Sequence, residues 1–139
     1  MTAASNYLEN KILDHVLKNS AYSQPSALYL ALFNNTSTNT AANLENGTLT
    51  DETSTSGTAY SRKSVTFAAS SGGTAATSAT VTFDAATASW GTITHVAIMD
   101  SGTAGAGNVL FWGAVTTSKT IDTGDTFQVT SGNLTISLN

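Results

Sequence analysis

The sequence predicts a mainly β fold: an antiparallel β-sandwich of jelly-roll type, with about seven short strands preceded by one N-terminal α-helix. Three observations carry that expectation. Short apolar stretches recur along the chain, broken by turn residues about every 8–12 positions. Only Ala3 to Lys18 repeats its apolar residues at helical spacing. Trp90 to Asp100, WGTITHVAIMD, has small or apolar residues on both faces of a period of two. Trp90, Thr92, Thr94, Val96 and Ile98 point one way, and Gly91, Ile93, His95, Ala97 and Met99 the other. A strand with no face built for water belongs at the centre of a packed sheet.

In chain order, Leu8, Ile12, Leu13, Val16 and Leu17 form the stripe of the helix, with Lys11, Asp14, His15 and Lys18 off it. Asn6 with Glu9 makes a possible capping box, and Thr2 is an equal candidate for the N-cap. Asn19-Ser20 closes the helix, and Pro25 prevents its resumption. A helix packed on its own domain is the plain expectation, and one packed on a neighbouring subunit is the alternative. Leu28 to Phe33 reads as a buried strand. Asn34 to Thr58 shows no period and is rich in Asn, Thr and Ser, so it reads as one long loop. Such a segment has little apolar surface with which to order itself, and the expectation is that a neighbouring subunit helps to hold it.

Tyr60 to Ala68 alternates late in its length, and its Arg62-Lys63 pair reads as a solvated strand end. Ser70 to Ser78 reads as a linker of small residues, and Ala79 to Phe83 as a half-buried strand. After the central strand, SGTAGAGN (Ser101 to Asn108) is a hairpin connection. It lacks the Lys and the following helix of a phosphate loop. Val109 to Val115 is the partner strand, with Gly113 hinting at a bulge or a close backbone approach. Thr116 to Lys119 reads as a turn. Strands then follow around Phe127-Val129 and Leu134-Leu138. Trp90, Val96, Ile98, Leu110, Trp112, Phe127, Leu134 and Ile136 are the expected core.

The chain's 139 residues suit a single domain, residues 1–139, with the helix in 1–20 and the sandwich in 27–139 around loop 34–58. Charged residues are only 10%, well below the usual quarter or so, and the net charge is −4. Five cations, with none clustered beyond Arg62-Lys63, argue against nucleic acid as a partner. No apolar run reaches about 18 residues and no h-region follows a basic start, which implies a soluble chain without an export signal or a membrane span. A surface of Ser and Thr in place of Lys and Glu is easily desolvated and suits permanent contact with other subunits.

Candidate chemistry is sparse. The chain has no cysteine, and its two histidines, His15 and His95, show no metal spacing with carboxylates. Asp122 and Asp125 flank Gly124 without the aspartate ladder of a calcium loop, so a capped tight turn is expected. No nucleophile elbow is present. No catalytic, cofactor-binding or metal-binding residue is therefore assigned, and no cofactor. Trp90 and Trp112 lie in or beside apolar strands, which favours core packing over stacking on sugar.

Six blocks carry a family likeness: Tyr7–Leu17 (YLENKILDHVL), Ala27–Phe33 (ALYLALF), Ala59–Phe67 (AYSRKSVTF), Trp90–Asp100, Asn108–Ile121 (NVLFWGAVTTSKTI) and Gly124–Leu138 (GDTFQVTSGNLTISL). Over nearly its whole length the chain resembles the small virion proteins of tailed bacteriophages described as tail-fibre or minor-tail proteins. WGTITHV and LFWGA are the most specific blocks of the match, and Asn34–Thr58 is the least similar part. The resemblance implies a non-enzymatic structural protein of the virion, assembled in the host cytoplasm, with other virion proteins as partners. With no shaft, repeat or coiled coil in the sequence, the first expectation is a capsid decoration or cement protein that stabilises the particle against major capsid subunits. A minor-tail or tail-fibre protein is the alternative, and a carbohydrate-binding host-attachment module is the rival from another class. A homo-oligomer is expected, with a trimer as the first choice, because exposed sheet edges need cover.

Overall fold

A computed structural model describes residues 3–138 of the chain. The first elements are a two-residue strand, β1 (Ala3–Ala4), and helix α1 (Asn6–Leu17). Ser5 sits between them, fully buried. Its hydroxyl accepts from the Leu8 N–H at 3.3 Å, which caps the helix, and donates to the Val109 carbonyl. The cap is therefore neither Asn6 nor Thr2. Asn6 begins the helix and donates instead to Asn46 Oδ1 at 3.0 Å, and Thr2 lies outside the described residues. Asn19, in the left-handed region at φ 57°, ends the helix as expected, and the Lys18 and Ser20 N–H groups both donate to the Asp14 carbonyl.

Strand β2 (Tyr29–Asn34) follows, then a second helix, α2 (Thr40–Glu45), which lies inside the stretch expected to be structureless. Beyond it come β3 (Lys63–Ser64), β4 (Thr74–Ala76), β5 (Val81–Thr82), β6 (Gly91–Met99), β7 (Val109–Ile121), β8 (Gln128–Val129) and β9 (Thr135–Ser137). The fold is mainly β, and every strand pair is antiparallel. One sheet has five strands in the order β1-β7-β6-β2-β3, and two ribbons, β4-β9 and β5-β8, complete the pairing.

β6 is the central strand, bonded to β2 on one side and β7 on the other. Its alternation is not continuous. Phe33 pairs with His95 while Asn34 pairs with Ile93, so Thr94 is an extra residue on the β6 side. The slip turns Ile93 into the same core as Val96 and Ile98. On the β7 side, Ala114 pairs with His95 and Lys119 with Ile93, which leaves Val115 to Ser118 outside the ladder. The register runs unbroken through Gly113, opposite Val96. Thr116 to Lys119 does not turn the chain. β7 bulges away from β6 there, with Val115 to Ser118 opposite Thr94, and rejoins the ladder at Lys119 to run on to Ile121.

Each face of the sheet carries its own apolar cluster. On one, Leu30, Leu32, Val96, Ile98 and Leu110 pack with Val81, Phe83, Phe127 and Ile136 from the ribbons and their flanks, and with Leu8 of α1. Tyr60, Phe83, Trp90 and Phe127 form a chain of ring contacts there, with centroids 5.5–6.1 Å apart. On the other face, Ala31, Phe33, Ala97, Met99 and Val109 are covered by Leu44 of α2, with Leu49 and Trp112 alongside. The double cover expected for the central strand is present, and the segment read as a loop supplies half of it.

Two further expectations are corrected. β4 forms where a linker was expected, because Gly73 at φ 76° brings the backbone close to β9. A Cβ there would sit 2.7 Å from the Leu138 carbonyl, and Leu138 N–H donates to Gly73 O at 2.9 Å. Of the expected core, Trp90, Val96, Ile98, Leu110, Phe127 and Ile136 are buried, whereas Trp112 and Leu134 are half-buried.

Candidate functional site

The residues singled out for chemistry do not converge. His15 sits on exposed α1 and accepts from the Tyr22 N–H through Nδ1 at 3.2 Å. His95 is half-buried on the α2 side of the sheet, 6.3 Å from the Trp112 ring, with Nδ1 2.9 Å from Thr94 Oγ1. Burial lowers the His95 pKa from the usual 6.5, against a smaller opposite pull from Asp51. Asp122 and Asp125 close a tight turn: the Asp122 N–H donates to Asp125 Oδ2 and the Asp125 N–H to the Asp122 carbonyl, both at 3.0 Å. Among the described residues no group of His, Cys, Asp and Glu is placed to hold a metal ion, and no helix is long and apolar enough to cross a membrane.

Arg62 is not a solvated strand end. Its side chain is fully buried and forks onto Glu52, with Nε on Oε1 at 2.7 Å and Nη2 on Oε2 at 2.8 Å. Nη1 donates to the Ser101 and Ala106 carbonyls at 2.7 and 2.8 Å. Glu52 also accepts from the Tyr60 hydroxyl and the Gly105 N–H, and the Tyr60 hydroxyl in turn accepts from Leu32 N–H. Burial, with the Glu52 charge adding to it, pushes the Tyr60 hydroxyl far above its usual pKa. This network ties the 34–58 segment to the β6–β7 hairpin. Lys63 follows expectation better, pairing with Asp84 at the surface.

A second polar knot lies around buried Asp51. It accepts from the Ser37 N–H and hydroxyl, from Thr40 Oγ1 at 2.7 Å and from Asn43 Nδ2. Burial opposes the charge of Asp51, but these hydrogen bonds outweigh it and hold the carboxyl below its usual pKa. Neither knot was visible in the sequence, because each joins residues whose partners depend on the fold.

Trp90 is buried and its indole N–H donates to the Thr58 carbonyl at 2.8 Å, while that of Trp112 donates to Glu45 Oε2 at 2.8 Å. Two surface features remain. Leu13, Val16 and Leu17 of α1 are 54, 69 and 78% exposed, so the outer part of the helical stripe is left largely uncovered by the described residues. A groove of about 670 Å³ also runs between β7 and the β8–β9 region.

The model of the family described as "Podophage GP4 fiber I protein gp80" matches residues 3–137. No curated protein matches the chain. The match covers α1, the five-stranded sheet and both ribbons, and it spans the exposed helix edge and the groove as well as the core.

Proposed function

Because the chain belongs to the podophage GP4 fiber I protein gp80 family, we propose that it is a non-catalytic structural subunit of a tailed-phage fibre, attached to neighbouring virion proteins through the outer edge of α1. The family match supports the fibre placement over capsid decoration, which the sequence reading had put first. The observation that carries the attachment is the exposure of Leu13, Val16 and Leu17, which lie at i, i+3 and i+4 on one side of the helix. Full burial of such a side chain is worth roughly 1.5–3 kcal/mol, and a partner gains the share of it that is still exposed. At about 100° per residue Lys11, Asp14, His15 and Lys18 fall on the opposite side of the helix, so the apolar edge stands apart from the polar one. Self-association, with a trimer first, belongs to the same proposal.

Replacing Leu13, Val16 and Leu17 together by Ser tests it. None of the three is buried, so the melting temperature of the isolated protein should stay close to that of the wild type. Incorporation into phage particles, read by quantitative immunoblotting, should drop, and any self-association seen by sedimentation should drop with it. Full incorporation of the triple variant would remove α1 as the attachment surface.

A further inference from the structure

Asn46-Gly47 is the one Asn-Gly pair in the chain. It stands at the end of α2, exposed to water, with Asn46 as the C-cap and Gly47 in the left-handed region at φ 76°. In such a pair the glycine nitrogen reaches the asparagine side chain easily, because no Cβ stands in its way. Attack of Gly47 N on Asn46 Cγ closes a five-membered succinimide and expels the side-chain nitrogen as ammonia. Water then opens the ring at either carbonyl, which leaves aspartate or isoaspartate. The fold opposes the first step. Asn46 Nδ2 donates to the Ala42 carbonyl at 2.9 Å, and Oδ1 accepts from Asn6 Nδ2 at 3.0 Å, so both ends of the side-chain amide are held. The Gly47 N–H donates to the Leu44 carbonyl at 3.1 Å, and the Thr48 N–H to the Asn43 carbonyl at 2.7 Å. Ring closure has to turn the Asn46–Gly47 peptide and swing the side chain toward it, which breaks the bonds to Asn6, Ala42 and Leu44. Asn6 is the first residue of α1, so one of these restraints comes from the other helix.

We propose that Asn46 is a site of spontaneous deamidation that the contact between α1 and α2 holds in check. The product is not neutral for the fold. A carboxylate at position 46 loses the donor that bonds the Ala42 carbonyl. It also adds a negative charge beside Glu45 at the carbonyl end of α2, where the helix dipole disfavours one. Isoaspartate lengthens the main chain by a methylene at the point where Gly47 and Thr48 tie the helix off. Both products loosen α2 and with it Leu44, which covers Ala31, Phe33, Ala97 and Met99. The reaction is a slow, irreversible weakening of one cover of the sheet, gated by the seating of α1. It needs neither the fibre placement nor a partner.

The test incubates the full chain in mildly alkaline buffer, folded and in urea, and follows each asparagine by peptide mass spectrometry, with isoaspartate separated by chromatography. In urea, deamidation should concentrate at Asn46. The folded protein should react there at least about tenfold more slowly, the equivalent of breaking one or two hydrogen bonds before the ring can close. Asn6→Ala leaves the Ser5 cap in place and changes an exposed residue, so it should melt close to the wild type. It should nevertheless speed deamidation of the folded protein severalfold and leave the rate in urea unchanged. Asn46→Gln, which would have to close a larger ring, should keep its mass, and Asn46→Asp should melt below the wild type. Equal rates for folded and unfolded chain would overturn the check, and an unchanged folded rate in Asn6→Ala would remove α1 from it. Deamidation in urea with no preference for Asn46 would remove the site itself, and wild-type melting of Asn46→Asp would overturn the weakening of α2.

Discussion

Arg62 makes four hydrogen bonds from a fully buried side chain and joins three parts of the chain that are distant in sequence. Removing one partner of a buried ion pair leaves the other charge uncompensated, at a cost of roughly 3–5 kcal/mol. Arg62→Met should lower the unfolding free energy by about that amount in urea titrations. Arg62→Lys should recover only part of it, because an ammonium cannot fork onto Glu52 and also reach both carbonyls. A loss under about 1 kcal/mol for Arg62→Met would mean that water takes over the role of the guanidinium. Two other residues set the acid response. His95 has a lowered folded pKa, so its protonation favours the unfolded chain, and stability should fall as pH drops below 6.5. Asp51 has a folded pKa held below 3.8, so its contribution is full above that value and is lost as pH falls further. Thermal melts from pH 7 to 3 should show both losses. His95→Gln should remove the upper one and Asp51→Asn the lower one, and an unchanged profile in either variant would refute that assignment.

At the scale of elements, the 34–58 segment is where the sequence reading and the structure part most clearly. Its composition offered no period, and its ordering was assigned to a neighbouring subunit. Two backbone bonds, Asn34 N–H to Asp51 O and Thr53 N–H to Leu32 O, instead lash it along β2, and Leu44 is fully buried on the sheet. Leu44, Asp51 and Glu52 anchor it, and a count of polar residues hides all three. Leu44→Ala should therefore cost about 2–5 kcal/mol, as for any large core truncation. Replacing Asn35 to Ser56 by a short Gly-Ser link should uncover Phe33, Ala97 and Met99 and make the protein aggregate. A deletion variant that melts like the wild type would restore the view that the segment serves only its neighbours. α1 goes the other way. Its stripe was legible at helical spacing, but a periodic pattern does not say which apolar residues face their own chain. Of the five, Leu8 alone is buried.

For the whole molecule, the antiparallel β class, the centrality of Trp90 to Asp100 and the hairpin through Ser101 to Asn108 were all readable, because alternation and turn residues report them locally. The slip at Thr94, the extension of β7 past Thr116 and the strand at Thr74 to Ala76 were not. Each depends on what lies across the ladder, and no local pattern encodes that.

The seating of β1 on β7 has a consequence for synthesis. Ala3 pairs with Trp112, and the Ser5 hydroxyl bonds to a carbonyl 104 positions further along. A ribosome adding about 5–20 residues per second leaves the first strand without its partner for on the order of ten seconds. During that time the start of α1 lacks its anchor, and its apolar stripe is open to chaperones and to other nascent chains. Contacts this distant in sequence also predict slow folding for a chain of this size. The β1 edge of the sheet can therefore close only after β7 has left the ribosome.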